Sequence, residues 1–78
     1  MMSDHRRNIL VFAYRRNKES EIICDEHAWF SLQGKIPDKM VDAGLLDVRV
    51  AQVGPHKIKQ YRITEIGIAA LAKTDGVA

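Results

Sequence analysis

The stretch that decides the fold is Ile58-Lys59-Gln60-Tyr61-Arg62-Ile63-Thr64-Glu65-Ile66-Gly67-Ile68-Ala69-Ala70-Leu71. Within it, an extended segment passes into a helix without a spacer. Tyr61 and Ile63 are two residues apart and therefore share one face of a strand, whereas Arg62 points to the other face. Thr64 ends the strand and is a good N-cap, because its hydroxyl can accept a backbone N–H of the first helical turn. The pattern predicts a strand that delivers the chain into a C-terminal helix.

The predicted C-terminal helix has suitable residues at both ends. Glu65 favours the positive end of the helix dipole, and Lys73 favours the last turn. The residues at helical spacing on its apolar face are Ile68, Leu71 and Ala72. Residues 74–78 are expected to form a frayed tail.

A hairpin is predicted immediately before this strand. Apolar and charged residues alternate at positions 46–50, which is typical of a half-buried strand. Gly54 and Pro55 predict the tip of the hairpin, and residues 57–63 are expected to return antiparallel. The positions expected to face inward on the first strand are Leu46, Val48 and Val50.

The N-terminal third is expected to contain one helix and one short strand. Ser3 or Asp4 can cap a helix that runs to about residue 17. Its middle is unusually apolar, so this should be the most buried helix; the residues concerned are Ile9, Leu10, Phe12, Ala13 and Tyr14. Residues 17–20 form a polar break, and residues 21–24 suit a short strand.

A second helix is expected to begin at Asp25, which is a plausible N-cap, and to end at Gly34. Ala28, Trp29 and Leu32 would share one face. Trp29 and Phe30 are adjacent, so they cannot both face the same core from one helix. Phe30 is therefore either an exposed anchor for a protein partner or part of a short helix buried on two sides.

A third, short helix is predicted at residues 37–43. Pro37 fits the first helical position, where its missing N–H is harmless, and it pushes Ile36 out of the helical region. Gly44 is expected to act as the left-handed cap that ends this helix.

Two segments resemble a known family. Tyr61-Arg62-Ile63-Thr64-Glu65-Ile66-Gly67, followed by an Ala/Leu helix, is similar to the end of the winged-helix domain of small prokaryotic and phage transcription regulators. In that family, the second wing strand leads through Tyr-x-Leu/Ile-Thr into a closing helix. Met40-Val41-Asp42-Ala43-Gly44-Leu45-Leu46 looks like the end of the third helix and the start of the first wing strand. The resemblance covers residues 6–73.

The resemblance implies an α+β fold, a winged helix with three helices, a β-hairpin wing and a closing C-terminal helix. The order of elements predicted from the residues is the same. Seventy-eight residues suffice for a single domain, 1–78, with an ordered core at about 5–73. Winged helices serve both DNA and protein partners, so the fold alone does not decide the function.

Composition indicates a cytoplasmic globular protein. The chain is 46% hydrophobic and 28% charged, and its longest apolar run, residues 9–14, is too short to span a bilayer. No signal-peptide pattern is present at the N-terminus. Cys24 is the single cysteine, so no internal disulfide can form, and it is expected to be a small buried hydrophobic residue.

The net charge is only +2, but charges of opposite sign are separated along the sequence. Residues 6–18 contain five basic residues and no acid. Residues 19–47 contain seven acids against two lysines, and residues 48–64 contain four basic residues, a histidine and no acid. This uneven distribution bears on the choice of partner more than the total does.

The first functional hypothesis is binding of double-stranded DNA by a small transcription regulator that acts by occupying its site. The resemblance implies that the third helix enters the major groove, while the basic wing, including His56, and the arginines of the first helix hold phosphates. The candidate DNA contacts are Ser31, Gln33, Lys35, Lys39, Arg49, Lys57, Lys59 and Arg62. Asp38 and Asp42 depart from the family pattern, because two carboxylates would face a polyanion. Useful specificity in so small a domain favours a homodimer.

The alternative hypothesis is a winged-helix protein-interaction module, such as a mobile-element protein that inhibits host nucleic-acid machinery. The acidic middle of the chain would attract a partner with a basic surface. The candidate partner contacts are Asp25, Glu26, Phe30, Asp38 and Asp42.

Enzymatic, metal and membrane functions have little support in the sequence. Cys24 and His27 have Cys-x-x-His spacing, but no second pair stands at zinc spacing. No nucleophile motif and no glycine-rich phosphate loop is present. We therefore expect no catalytic residues, no cofactor and no metal.

Overall fold

The computed structural model describes residues 3–74, and these form three α-helices, a short 3-10 helix and a two-stranded antiparallel hairpin. The elements, in order, are α1 (Asp4–Ser20), the 3-10 helix (Asp25–Ala28), α2 (Ile36–Asp42), β1 (Leu46–Val53), β2 (His56–Ile63) and α3 (Glu65–Thr74). The predicted α+β class is confirmed. Helix α3 includes Thr74, and the remainder of the predicted tail lies outside the described residues.

Helix α1 begins where the sequence predicts and ends later. The hydroxyl of Ser3 accepts a hydrogen bond from the backbone N–H of Arg6 at 3.3 Å, so Ser3 is the N-cap. The predicted polar break at residues 17–20 is wrong, because the helix continues to Ser20, whose hydroxyl donates to the carbonyl of Asn17 at 2.6 Å. Ile9, Leu10 and Ala13 form its buried side, whereas Phe12 is exposed and Tyr14 half-buried.

The predicted strand at residues 21–24 is absent from this part of the structure, which is a turn. The N–H groups of Ile22 and Ile23 both donate to the carbonyl of Glu19, at 3.0 and 2.9 Å. These hydrogen bonds close the C-terminal end of α1. They also occupy backbone N–H groups that a strand would need for pairing. Ile22 is 89% exposed and Ile23 62% exposed. Cys24 is also exposed, so the prediction that it is buried is wrong.

The predicted second helix is reduced to the 3-10 helix, and Asp25 is its first residue rather than its cap. The chain becomes extended at Trp29 because Phe30 pairs with Tyr61. The N–H of Phe30 donates to the carbonyl of Tyr61 at 3.0 Å, and the N–H of Tyr61 donates to the carbonyl of Phe30 at 2.7 Å. Adjacent residues of an extended segment point to opposite faces, so Trp29 and Phe30 pack on opposite sides of the hairpin.

The third predicted helix is confirmed as α2, within one residue at either end. Ile36 belongs to it, so the expectation that Pro37 excludes Ile36 is wrong. The helix ends at a left-handed Gly44 with φ of 81°. The N–H of Leu45 donates back to the carbonyl of Met40 at 2.9 Å, which closes the last turn.

The hairpin has the predicted tip and a shorter buried region than predicted. Its register pairs Leu46 with Ile63 at the base and Val53 with His56 at the tip, where Gly54 adopts a φ of 58°. Leu46, Tyr61 and Ile63 are buried, but Val48 and Val50 are exposed, the latter by 63%. Alternation therefore predicts burial correctly only at the base, because the outer part of the hairpin extends beyond the core.

The core lies between α1, α2, α3 and the base of the hairpin. Its buried members are Ile9, Leu10, Ala13, Phe30, Met40, Leu46, Tyr61, Ile63 and Leu71. Thr64 is the N-cap of α3, as predicted, because its hydroxyl accepts a hydrogen bond from the N–H of Gly67 at 3.0 Å. The same hydroxyl donates to the carbonyl of Gly44 at 2.6 Å and so links α3 to the end of α2. The backbone N–H of Thr64 donates to the carbonyl of Leu45 at 3.1 Å.

Gly67 is buried in the first turn of α3, where the helix backbone approaches the chain that leaves α2. A Cβ at this position would overlap the carbonyl oxygen of Leu45 and lie 2.8 Å from Cγ1 of Ile63. Both neighbours are held in place, Leu45 by its hydrogen bond from Thr64 and Ile63 by the sheet. The position therefore requires glycine.

We expect Gly67→Ala to lower the free energy of unfolding by about 2 kcal/mol or more, because a methyl group must be forced into a filled space. Helix propensity alone predicts the opposite, a gain of about 1 kcal/mol. Urea denaturation followed by circular dichroism measures the difference. Ala69→Gly, at an exposed position of the same helix, is the control for propensity. A Gly67→Ala protein as stable as the wild type would contradict the close approach.

Candidate nucleic-acid interface

The two faces of the hairpin carry different side chains. Residues directly opposite each other in an antiparallel pair share a face. The α2 face is defined here by Val50, Lys57, Lys59 and Tyr61, and at its base Tyr61 contacts Asp38 of α2. The Trp29 face is defined by Arg49, Gln60 and Arg62. The predicted DNA contacts of the hairpin are therefore divided between two faces.

Asp38 joins α2 to the α2 face of the hairpin. Its Oδ1 accepts a hydrogen bond from the hydroxyl of Tyr61 at 2.9 Å, and the Nζ of Lys59 lies 3.3 Å from both carboxylate oxygens. The Tyr61 ring is 1% exposed. No local signal predicts this cluster, since more than twenty residues separate Asp38 from either partner.

The cluster has a definite charge state at neutral pH. The hydrogen bond from Tyr61 and then that from Lys59 hold the pKa of Asp38 below its ordinary value of 3.8. Burial, reinforced by the hydrogen bond to Asp38, raises the pKa of Tyr61 to about 12. Asp38 is therefore ionised and Tyr61 neutral. The carboxylate is satisfied internally, so it does not act as the isolated negative charge that the sequence suggests.

A cleft of about 480 Å³ lies between β2 and the segment that leads to α2. Its lining residues are Ser31, Leu32, Gln33, Gly34, Asp38, Ile58, Lys59 and Tyr61. Three predicted DNA contacts, Ser31, Gln33 and Lys59, thus lie around one depression. Lys35, which precedes α2, and Lys39, which follows Asp38 within α2, are both exposed, and Lys57 is exposed near the tip of the hairpin.

The Trp29 face holds its two arginines in internal contacts. The guanidinium carbon of Arg49 lies 4.3 Å from the centroid of the Trp29 ring, and that of Arg62 lies 5.3 Å away. Arg49 also donates to Oε1 of Gln60 at 2.8 Å and forms an ion pair with Glu26. Nη2 of Arg62 lies 3.9 Å from Oδ2 of Asp47. Both arginines cover Trp29, which the sequence did not predict.

The predicted acidic partner surface is divided in the same way. Glu26 lies on the Trp29 face, where the hydrogen bond from Arg49 lowers its pKa, whereas Asp38 lies on the α2 face. Asp25 and Asp42 are exposed. Phe30 is 5% exposed and contacts Phe12 edge to face, at a centroid distance of 5.2 Å. Of the two alternatives for Phe30, the exposed anchor is wrong and burial is confirmed, although Phe30 lies in an extended segment and not on a helix.

Among residues 3–74, no group of three or more His, Cys, Asp or Glu side chains could hold a metal ion. His27 instead contacts Glu19, with 3.0 Å between Nε2 and Oε1. None of the helices within the same range is long and apolar enough to cross a membrane.

Comparison with known proteins returned no match to a family model, to a curated protein or to a solved structure.

We expect Asp38→Asn to remove a component of the pH dependence of stability. A carboxyl whose pKa is lower in the folded state than in the unfolded state stabilises the fold at pH values above its unfolded-state pKa. This contribution is lost as the pH falls through the folded-state pKa. The stability difference between wild type and Asp38→Asn should therefore be largest at neutral pH and shrink below 3.8. Urea denaturation over a pH series measures it.

The matched control is Asp42→Asn, which removes an exposed carboxylate of α2 without touching Tyr61 or Lys59. A difference between wild type and Asp38→Asn that stays constant from neutral to acid pH would show that the Asp38 cluster does not stabilise the fold through its charge.

Proposed function

We propose that the chain is a small winged-helix protein that binds duplex DNA through the α2 face of its hairpin and the adjoining N-terminal part of α2. The observation that carries the proposal is the contact of Lys59 and Tyr61 with Asp38. Because it fixes the hairpin against the first turn of α2, it brings Lys59 of β2 to the helix that also carries Lys39.

Electrostatics supports this surface in preference to the Trp29 face. Lys35, Lys39 and Lys57 are exposed, and no ion pair involves them within the part of the chain that the structure describes. Each cation that neutralises a phosphate releases counterions and adds a salt-dependent increment to affinity. Ser31 and Gln33 add polar groups that can donate to phosphates or bases. Arg49 and Arg62 are left out of the proposed interface because they already contact Trp29 and carboxylates.

The size of α2 limits the kind of recognition proposed. Seven residues make a helix about 10 Å long, which can contact few base pairs. Affinity would therefore come mainly from phosphates, and a regulator acting by occupancy would need a second copy for specificity. The 3-10 helix in place of a second α-helix is a departure from the winged-helix pattern that the sequence resembles.

A protein-interaction module is the second candidate function. The observation in its favour is an edge of β2 that has no backbone partner beyond Tyr61 in the described chain. Division of the acidic residues between two faces argues against the single acidic surface expected from the sequence.

We expect the wild-type protein to bind random duplex DNA at low salt, with affinity that falls steeply as salt is added. Lys39→Glu combined with Lys57→Glu should weaken binding by at least about tenfold and lower the salt slope by about two, since each phosphate contact contributes about 0.9. Fluorescence anisotropy of labelled DNA measures both quantities.

The matched control is Lys18→Glu combined with Lys73→Glu. It changes the net charge by the same amount as the first double variant, but at positions on α1 and α3. Its affinity should stay within about threefold of wild type under the same screening. Equal losses in both double variants would mean that total charge, and not the α2 face, governs binding. Failure of the wild type to bind at low salt would refute the function.

A further inference from the structure

Strand β2 has one edge that is only partly covered. Tyr61 directs its N–H and C=O to Phe30, away from β1. In an antiparallel ladder, alternate residues of a strand direct their backbone groups to the same side. Lys59 and Lys57 therefore point their N–H and C=O groups outward along the edge on which Phe30 lies.

The chain leaves this edge immediately after Phe30. Continued in the register of the Phe30–Tyr61 bridge, Leu32 would lie opposite Lys59, and Gly34 opposite Lys57. Instead, Gly34 adopts a φ of 100° and the chain turns into α2. Within residues 3–74 no backbone group pairs with Lys57 or Lys59 on this side. The cleft of about 480 Å³ lies along the vacated part of the edge.

We propose that the open edge of β2 binds an extended peptide segment as an additional antiparallel strand. The segment carries a hydroxyl side chain opposite Lys59, an apolar residue next, and an acidic side chain opposite Lys57. The Phe30–Tyr61 bridge, with bonds of 3.0 and 2.7 Å, supplies the geometry that the added strand continues.

The side chains along the edge define this chemistry. Residues opposite each other share a face, so an acidic residue opposite Lys57 meets an exposed ammonium group. The residue opposite Lys59 enters the cleft beside Asp38, whose carboxylate is already paired with that lysine. A second acid there would face Asp38, whereas a hydroxyl can donate to it. The residue between them lies over half-buried Ile58 on the other face.

The strength of the interaction follows from its backbone bonds. Two opposed residue pairs, at Lys59 and Lys57, can exchange four N–H···O bonds. The net gain from each bond is small, because both groups give up hydrogen bonds to water, and an isolated strand must be ordered on binding. The expected complex is therefore weak for a short free peptide. Because it uses Lys57 and Lys59, it excludes DNA from the same face, but it does not depend on DNA binding.

The test is an NMR titration of the full chain with a capped synthetic peptide of sequence Val-Thr-Val-Glu-Val. We expect the amide protons of Lys57 and Lys59, which are open to solvent, to exchange with water at least about tenfold more slowly at saturation. The amides of Gln60 and Arg62, which face β1, should change far less. An absence of binding at millimolar peptide, or shifts without protection of Lys57 and Lys59, would overturn the proposal.

Two N-methylated peptides separate backbone pairing from attraction between side chains. Methylation of the threonine nitrogen removes the N–H that faces Lys59 and should raise the Kd at least about tenfold. Methylation of the central valine nitrogen adds the same group on the side away from β2 and should change the Kd by less than about threefold. Equal effects of the two methyl groups would refute strand addition.

Lys57→Glu tests the side-chain assignment. The substitution should weaken binding of the peptide that contains glutamate and strengthen binding of a peptide with lysine in place of glutamate. Lys57→Gln, which keeps the backbone and removes only the charge, should bind both peptides with similar affinity. Unchanged preference in Lys57→Glu would overturn the acidic specificity, whatever the result with the methylated peptides.

Discussion

The carbonyl group of Leu45 is the point at which three parts of the chain meet. The carbonyl oxygen of Leu45 accepts a hydrogen bond from the backbone N–H of Thr64 at 3.1 Å. The Thr64 hydroxyl also lies 3.1 Å from this oxygen, and it donates to the carbonyl of Gly44. Gly67 packs directly against the carbonyl of Leu45. The end of α2, the end of β2 and the start of α3 are thereby held together, and α3 can place Leu71 in the core. A side chain at Gly67 or a lost hydroxyl at Thr64 would weaken this junction.

A second set of contacts fixes how the hairpin leaves this centre. The pairing of Phe30 with Tyr61 covers one edge of β2 at its base, and Asp38 holds Tyr61 and Lys59 from α2. On the opposite face, Arg49 packs on Trp29. The base of the hairpin is therefore supported from both faces while the outer half has little cover. The same arrangement leaves lysine side chains exposed on the α2 face and unpaired backbone groups along the neighbouring edge of β2.

Local signals in the sequence were sufficient for some elements and insufficient for others. Gly44, Gly54 and Thr64 act within a few residues of themselves, so the end of α2, the hairpin tip and the start of α3 could be predicted. The second helix could not be excluded, because it is replaced by pairing between Phe30 and Tyr61, which are far apart in sequence.

The candidate site shows the same division. Exposure of the lysines is expected from the residue type alone, since lysine is almost never fully buried, but the Asp38 cluster and the packing of arginines over Trp29 depend on tertiary contacts. Trp29 is the single tryptophan of the chain, and its ring lies against arginines from both β1 and β2. Its indole emission is thus an intrinsic optical probe of hairpin docking, distinct from the helical ellipticity that is dominated by α1 and α3. Separation of the hairpin from Trp29 would therefore change the fluorescence, whether or not the helical ellipticity changes with it.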